Sequence, residues 1–149
     1  MDKAQVRYAK GTASAQAIAE HLLACQNDFI PPLNETVDIE GYAQKLADKA
    51  TTFEAWTDDG LVGLLAAYLN LDTAEAYISN VSVGSDFRGL GLAKSLVGQF
   101  LDEARQAGLR LAKLEVSKLN QPARKLYGKL GFIESIAESD KIFMEMKLI

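Results

Sequence analysis

The segment Val81-Ser-Val-Gly-Ser-Asp-Phe-Arg-Gly-Leu-Gly-Leu-Ala-Lys-Ser-Leu96 runs from apolar alternation, through a knot of small residues, into a helical pattern. Glycines and an arginine at a strand-to-helix junction suit several phosphate-binding designs. A dinucleotide fingerprint, G-x-G-x-x-G, fails because the third small position after Gly89 and Gly91 is Lys94. The strands before it also read as an antiparallel meander, not as the start of a βαβ unit. A Walker-type loop, G-x-x-x-x-G-K-[ST], matches at Lys94-Ser95 but meets Arg88 and Ala93 where it needs glycine. The pattern [RQ]-x-x-G-x-[GA] is satisfied by Arg88, Gly91 and Ala93. Its physics is that of an anion site at a helix start. Unpaired backbone N–H groups converge there, and small side chains let a pyrophosphate reach them. Taken alone, the same glycines equally suit a tight turn made only for packing.

Downstream of the knot, Ala93, Leu96, Val97, Phe100, Leu101 and Ala104 keep helical spacing, and Gly108 closes the helix. Upstream, a strand is expected at about 76–83, and Asp59-Gly60 marks a hairpin between strands at 51–57 and 61–69. The chain opens with a short strand candidate at 4–9 and a helix over about 13–26. A proline-bearing break at 27–38 and a second helix at about 38–50 follow. Beyond the knot come a strand at 111–116, a helix at 120–130 capped by Gly131, and strands at 132–137 and 141–148. The order β-α-α-β-β-β-α-β-α-β-β predicts one mixed α/β domain over 1–149.

Composition narrows the function. The 149 residues carry a net charge of −4, which gives no general pull toward nucleic acid or an anionic membrane. An anionic ligand must therefore be held by a local site. One cysteine excludes an internal disulfide, and no Cys/His cluster has metal-ligand spacing. No apolar run approaches membrane-spanning length and no signal-type segment is recognisable, so a cytoplasmic location is expected.

A second motif decides the reading of the first. Residues 120–132 spell N-x-x-A-x-x-L-Y-x-K-x-G-F, with Asn120, Ala123 and Tyr127 on one helical face. Together the two motifs resemble the GCN5-related N-acetyltransferase (GNAT) superfamily. The resemblance implies a central, mostly antiparallel sheet of six to seven strands flanked by about four helices. It implies acetyl-CoA as cosubstrate, no metal, and transfer of acetyl to a primary amine by direct attack. Val81, Ser82 and Val83 match the strand that pairs with the pantetheine arm. Arg88, Gly89, Gly91, Leu92, Ala93 and Lys94 match the pyrophosphate loop, while Asn120, Ala123 and Tyr127 match the helix beside the acetyl-CoA sulfur.

The resemblance further makes Tyr127 the acid for the leaving thiolate and Glu115 a base, the latter open equally to a cross-strand salt bridge. Ser79 and Asn80 are alternatives that position a water, and Glu54 is a weaker candidate for the base. Phe29, Ile30 and Asn80 are expected at the acceptor, which is left as an amino sugar, its nucleotide, or a peptide N-terminus. Arg124 or Lys129 is a candidate for the 3′-phosphate of coenzyme A. Cys25 is expected to be a buried structural thiol, and His21, between polar neighbours, a surface histidine. A homodimer using Leu69, Leu71 and the final strand is one further expectation. A silent acetyl-CoA sensor or interaction module is the alternative to an enzyme.

Overall fold

The computed structural model describes residues 5–149. Its centre is β3 (Gly60–Asn70), whose sequence GLVGLLAAYLN is nearly continuous in apolar character. That composition suits a strand covered on both faces. Leu65 and Ala67 join one buried cluster, while Leu64 and Ala66 join another on the opposite side. β2 (Thr51–Thr57) and β4 (Glu75–Val83) flank β3 antiparallel, and β1 (Arg7–Lys10) extends β2. The β2–β3 turn falls at Asp58-Asp59, one residue earlier than expected, because Thr57 already pairs with Gly60. Of the strand expected at 4–9, Ala4 lies outside the described residues.

One face of the sheet carries α1 (Ala15–Cys25) and α3 (Ile39–Lys49); between them lies α2 (Leu33–Thr36), a single turn. The expected proline break thus holds a helix too short for periodicity to show. The count is five α-helices among the described residues, against about four expected. The other face carries α4 (Leu92–Gln106), whose apolar stripe packs on Phe53, Leu65 and Ile78. The Phe53 and Phe100 rings meet edge to face at 6.1 Å. Such a pair contributes about 0.5–1.5 kcal/mol beyond its area.

After α4 the chain forms β5 (Leu111–Ser117), α5 (Gln121–Leu130), β6 (Ile133–Glu138) and β7 (Lys141–Lys147). The strand order is β1-β2-β3-β4-β5-β7-β6, seven strands with one parallel junction at β4–β5. β7 is therefore internal, with β5 on one side and β6 on the other. Its backbone is committed on both edges, so the final strand has no free edge with which to extend the sheet into a second copy.

The β4–β5 junction creates the cleft. Only Glu75, Ala76 and Tyr77 pair with Leu111, Ala112 and Lys113; beyond them the two strands diverge. The β3–β4 register shifts at that point, Ala66 opposing Asn80 and Ala67 opposing Ile78, so Ser79 is the extra residue of a bulge. A bulge bends its strand and interrupts the ladder. β4 consequently turns away from β5 just where Leu114 to Ser117 begin.

Candidate active site

The divergence of β4 and β5 opens a cavity of about 480 Å³. Val81, Ser82 and Val83 from β4 form one wall, and Leu114, Glu115, Val116 and Ser117 from β5 face them. Gly84 donates its N–H to the Val62 carbonyl across β3. Alternate residues of a strand point their peptide groups to opposite edges, so the Val83 N–H faces the cleft.

The floor is made by two helix starts. α4 begins at Gly91, whose φ of +79° is a left-handed conformation that glycine adopts at no steric cost. No side chain caps this helix and no acid lies in its first turn. A helix start has unsatisfied N–H groups and a partial positive charge, so an uncapped one is ready for an anion. Arg88 and Ala93 line the cavity beside it. Gly89, Gly91, Leu92 and Lys94 do not; the Leu92 side chain is buried beneath the loop, while Gly89, Gly91 and Lys94 are exposed. α5 begins differently. Asn120 accepts the Ala123 N–H at 3.2 Å, and Pro122 sits in the first turn. This presents Asn120, Ala123 and Tyr127 to the cavity. The Tyr127 ring meets Phe132 edge-on at 5.9 Å, and burial pushes its phenol far above the ordinary range.

At the mouth, Asp28, Phe29 and Ile30 close over the cavity from the segment between α1 and α2. Asp28 forms an ion pair with Arg88, joining that segment to the knot. Glu115 lines the opposite wall, and its carboxylate pairs with Lys141 at 2.6 Å, the cross-strand salt bridge its position allowed. That pair holds the Lys141 ammonium above its ordinary value. Glu54 lies elsewhere. It is fully buried and receives bonds from Thr12, Ala13, Thr52 and Trp56. Burial would raise its pKa, but those donors together lower it. It ties the β1–α1 loop to β2 and does not line the β4–β5 cavity. Arg124 is held by Glu134 and the Lys118 carbonyl, and so is already committed.

Three residues of this region escaped the sequence reading. Asp28 was passed over in a segment read for its apolar residues. Tyr42, from α3, bonds the Ser79 hydroxyl at 2.6 Å and steadies the bulge. His21 is a correction. It is 5% exposed, not on the surface, and its Nε2 lies 2.9 Å from the Ser82 Oγ. Cys25 is buried as expected; burial first, then Asp28, pushes its thiol up to about 11.

A family model for the acetyltransferase (GNAT) family matches residues 15–132, from the start of α1 through the end of the second motif. The chain belongs to the acetyltransferase (GNAT) family. Among relatives of this acetyltransferase is the uncharacterized N-acetyltransferase YsnE of Bacillus subtilis (strain 168). It is 29% identical over 126 residues, covering 79% of this chain and 82% of the relative. Two further relatives are matched over 48% and 39% of their own length. The fold is shared with the ribosomal-protein-S18-alanine N-acetyltransferase of Escherichia coli. That structure gives a TM-score of 0.77 at 20% identity, over 97% of this chain and 94% of that one. The PaiA N-acetyltransferase of Thermoplasma acidophilum, solved in complex with coenzyme A, gives 0.75 at 13% identity over 96% and 99%. The protein is thus an acyltransferase of the N-acetyltransferase kind, on the expected α/β fold. No helix among the described residues is long and apolar enough to cross a membrane.

Proposed function

We propose that this acetyltransferase uses acetyl-CoA to acetylate a primary amine by direct attack in the β4–β5 cleft. The observation that carries the reading is the bare start of α4, which opens beside a strand edge with free peptide groups and a buried tyrosine. The α4 N-terminus and Arg88 suit the pyrophosphate, with Gly89, Gly91, Leu92, Ala93 and Lys94 contributing mainly backbone. The free edge of Val81 to Val83 suits the amide-bearing pantetheine arm. The Val83 N–H then meets the carbonyl oxygen as negative charge develops on it.

The amine arrives protonated, since an alkyl ammonium has a pKa near 10.4, and must lose that proton to attack. Tyr127 protonates the departing sulfur. The phenol is protonated at neutral pH, the form an acid requires, and burial holds it a weaker acid than a free tyrosine. Glu115 and the Asn80–Ser82 pair both line the cleft.

Phe29 and Ile30 give the mouth an apolar lining, and both cleft carboxylates, Asp28 and Glu115, are neutralised by ion pairs. A polycation finds little to bind there. This supports an acceptor with a single amine, either an amino sugar or a peptide N-terminus. The peptide class is the activity named for the structural neighbour from Escherichia coli.

The test is release of coenzyme A thiol from acetyl-CoA in the presence of amino sugars and their nucleotides, amino acids, polyamines, or peptides with varied N-termini. Release with one class identifies the acceptor. Tyr127→Phe should then lower turnover about a hundredfold or more while acetyl-CoA affinity holds; unchanged turnover removes Tyr127 as the acid. A melting-temperature rise with acetyl-CoA but no release with any amine would instead indicate a sensor.

A further inference from the structure

The wall between the cleft and its surroundings is thin at one place. Ser82 and Asn80 share a face of β4 and line the cleft. The Ser82 hydroxyl donates to the Asn80 Oδ1 at 2.9 Å, and its Oγ lies 2.9 Å from the His21 Nε2. His21 in turn lines a second cavity of about 490 Å³, bordered by Trp56, Gly60, Gly84 and Phe87, which the acetyl-transfer reading leaves unused. A titratable ring thus separates two cavities and touches one of them through a single hydroxyl.

We propose that Ser82 and His21 form the proton exit for the acceptor amine, carrying its proton from the cleft to the second cavity. This rests on the acetyltransferase reading above. With His21 protonated on Nδ1 only, the Ser82 hydroxyl turns from the Asn80 Oδ1 to the His21 Nε2. It passes its proton there as its Oγ takes one from the ammonium. The amine becomes neutral, Ser82 is unchanged, and an imidazolium forms. The imidazolium then releases its proton to water in the second cavity. His21 acts through Ser82 and is a positioning residue in this sense, while Ser82 meets the substrate.

The surroundings fit the task. Burial lowers the ring's pKa, so it rests neutral and able to accept, while the backbone carbonyls of Ser82 and Leu61 favour the charged form when it arises. Cys25, on the same helix at 3.9 Å, stays a neutral thiol because its pKa is raised. Glu20 on α1, Asp59 from the β2–β3 turn and Asp86 after β4 line the second cavity and favour a departing cation. By contrast, the Glu115 carboxylate is already shared with Lys141.

His21 is the sole histidine of the chain, so nitrogen-15 NMR of histidine-labelled protein reports one ring. The ring should titrate below 6.5 and be neutral at pH 7.5. Thiol release with the best amine of the panel should fall about a hundredfold in Ser82→Ala and in His21→Gln, with acetyl-CoA affinity kept. Both variants should lose the acid limb of the kcat/KM profile, and the double variant should be no worse than either single one. Glu115→Gln should keep that limb. A charged ring at pH 7.5 overturns the relay, as does a wild-type rate and pH profile in Ser82→Ala, a small change that keeps the fold even if His21→Gln does not. Silence of the wild type toward every amine overturns the acetyltransferase reading itself, and the relay with it.

Discussion

α3 and α4 begin in opposite ways. At α3, Asp38 accepts the Gly41 N–H at 3.1 Å, and Glu40 adds negative charge to the first turn. At α4, a left-handed glycine leads into Leu92-Ala-Lys, with no cap and no acid. A capping side chain is worth about 1 kcal/mol, so leaving it out is a real cost to folding. The helix that forgoes it borders the cleft, and the one that keeps it packs against the far face. α5 stands between these cases, for it borders the cleft yet is capped by Asn120. On the proposed function, the bare start of α4 is where a ligand, not the chain, completes the hydrogen bonds.

The widest gap between the two ends should come from Gly91→Val. A β-branched residue is strained at φ +79°, and its side chain would stand where a pyrophosphate meets the backbone. Acetyl-CoA affinity, measured by calorimetry, should fall at least tenfold. Gly108→Val is the matched control, with φ +81° at the other end of α4 and equally open space around it. It should lose similar stability and no affinity. Equal affinity losses would mean that Gly91 matters only for the helix.

Removing caps sharpens the contrast next. Asp38→Ala and Asn120→Ala should each destabilise the fold by about 1 kcal/mol in urea unfolding. Only Asn120→Ala should also change turnover. If Asp38→Ala does so equally, caps affect the site through global stability alone. A smaller effect follows from giving α4 the acid it lacks. Lys94→Glu should slightly raise the melting temperature through the helix dipole yet weaken acetyl-CoA binding, two shifts of opposite sign. Shifts of the same sign would break the comparison.

The smallest effect is on pH dependence. His21 has a lowered pKa in the folded state, so its contribution to stability is present above the unfolded value near 6.5 and is lost as pH falls below it. Melting curves across that range should show a drop that His21→Gln flattens.

Much of this was legible in the chain. The α4 stripe repeats at helical spacing because one face meets a sheet, and β5 alternates because only one of its faces is buried. The two glycine-bearing motifs located the cleft because backbone geometry there demands particular residues. His21 shows what was misread. Ile18, His21, Leu22 and Cys25 stand at steps of three, one and three, which is the buried stripe itself. Its polarity outweighed its spacing, since the Ser82 partner lies 61 residues away. α2 was illegible because one turn carries no period. β6 was legible as a strand, but its faces were not, since it is exposed along its whole length. The Asp28–Arg88 and Glu115–Lys141 pairs join distant segments and leave no local trace.

The three-rung junction between β4 and β5 has one further consequence. Past Tyr77 the sheet is cut in two, and the amides of Val81 and Val83 face a gap. A ligand laid into that gap stands in for the absent strand. Bound ligand should therefore slow deuterium uptake at Val81 and Val83 more than at Ser82, whose N–H already faces β3. On the proposed function, the substrate arm would serve, for the length of one turnover, as an eighth strand.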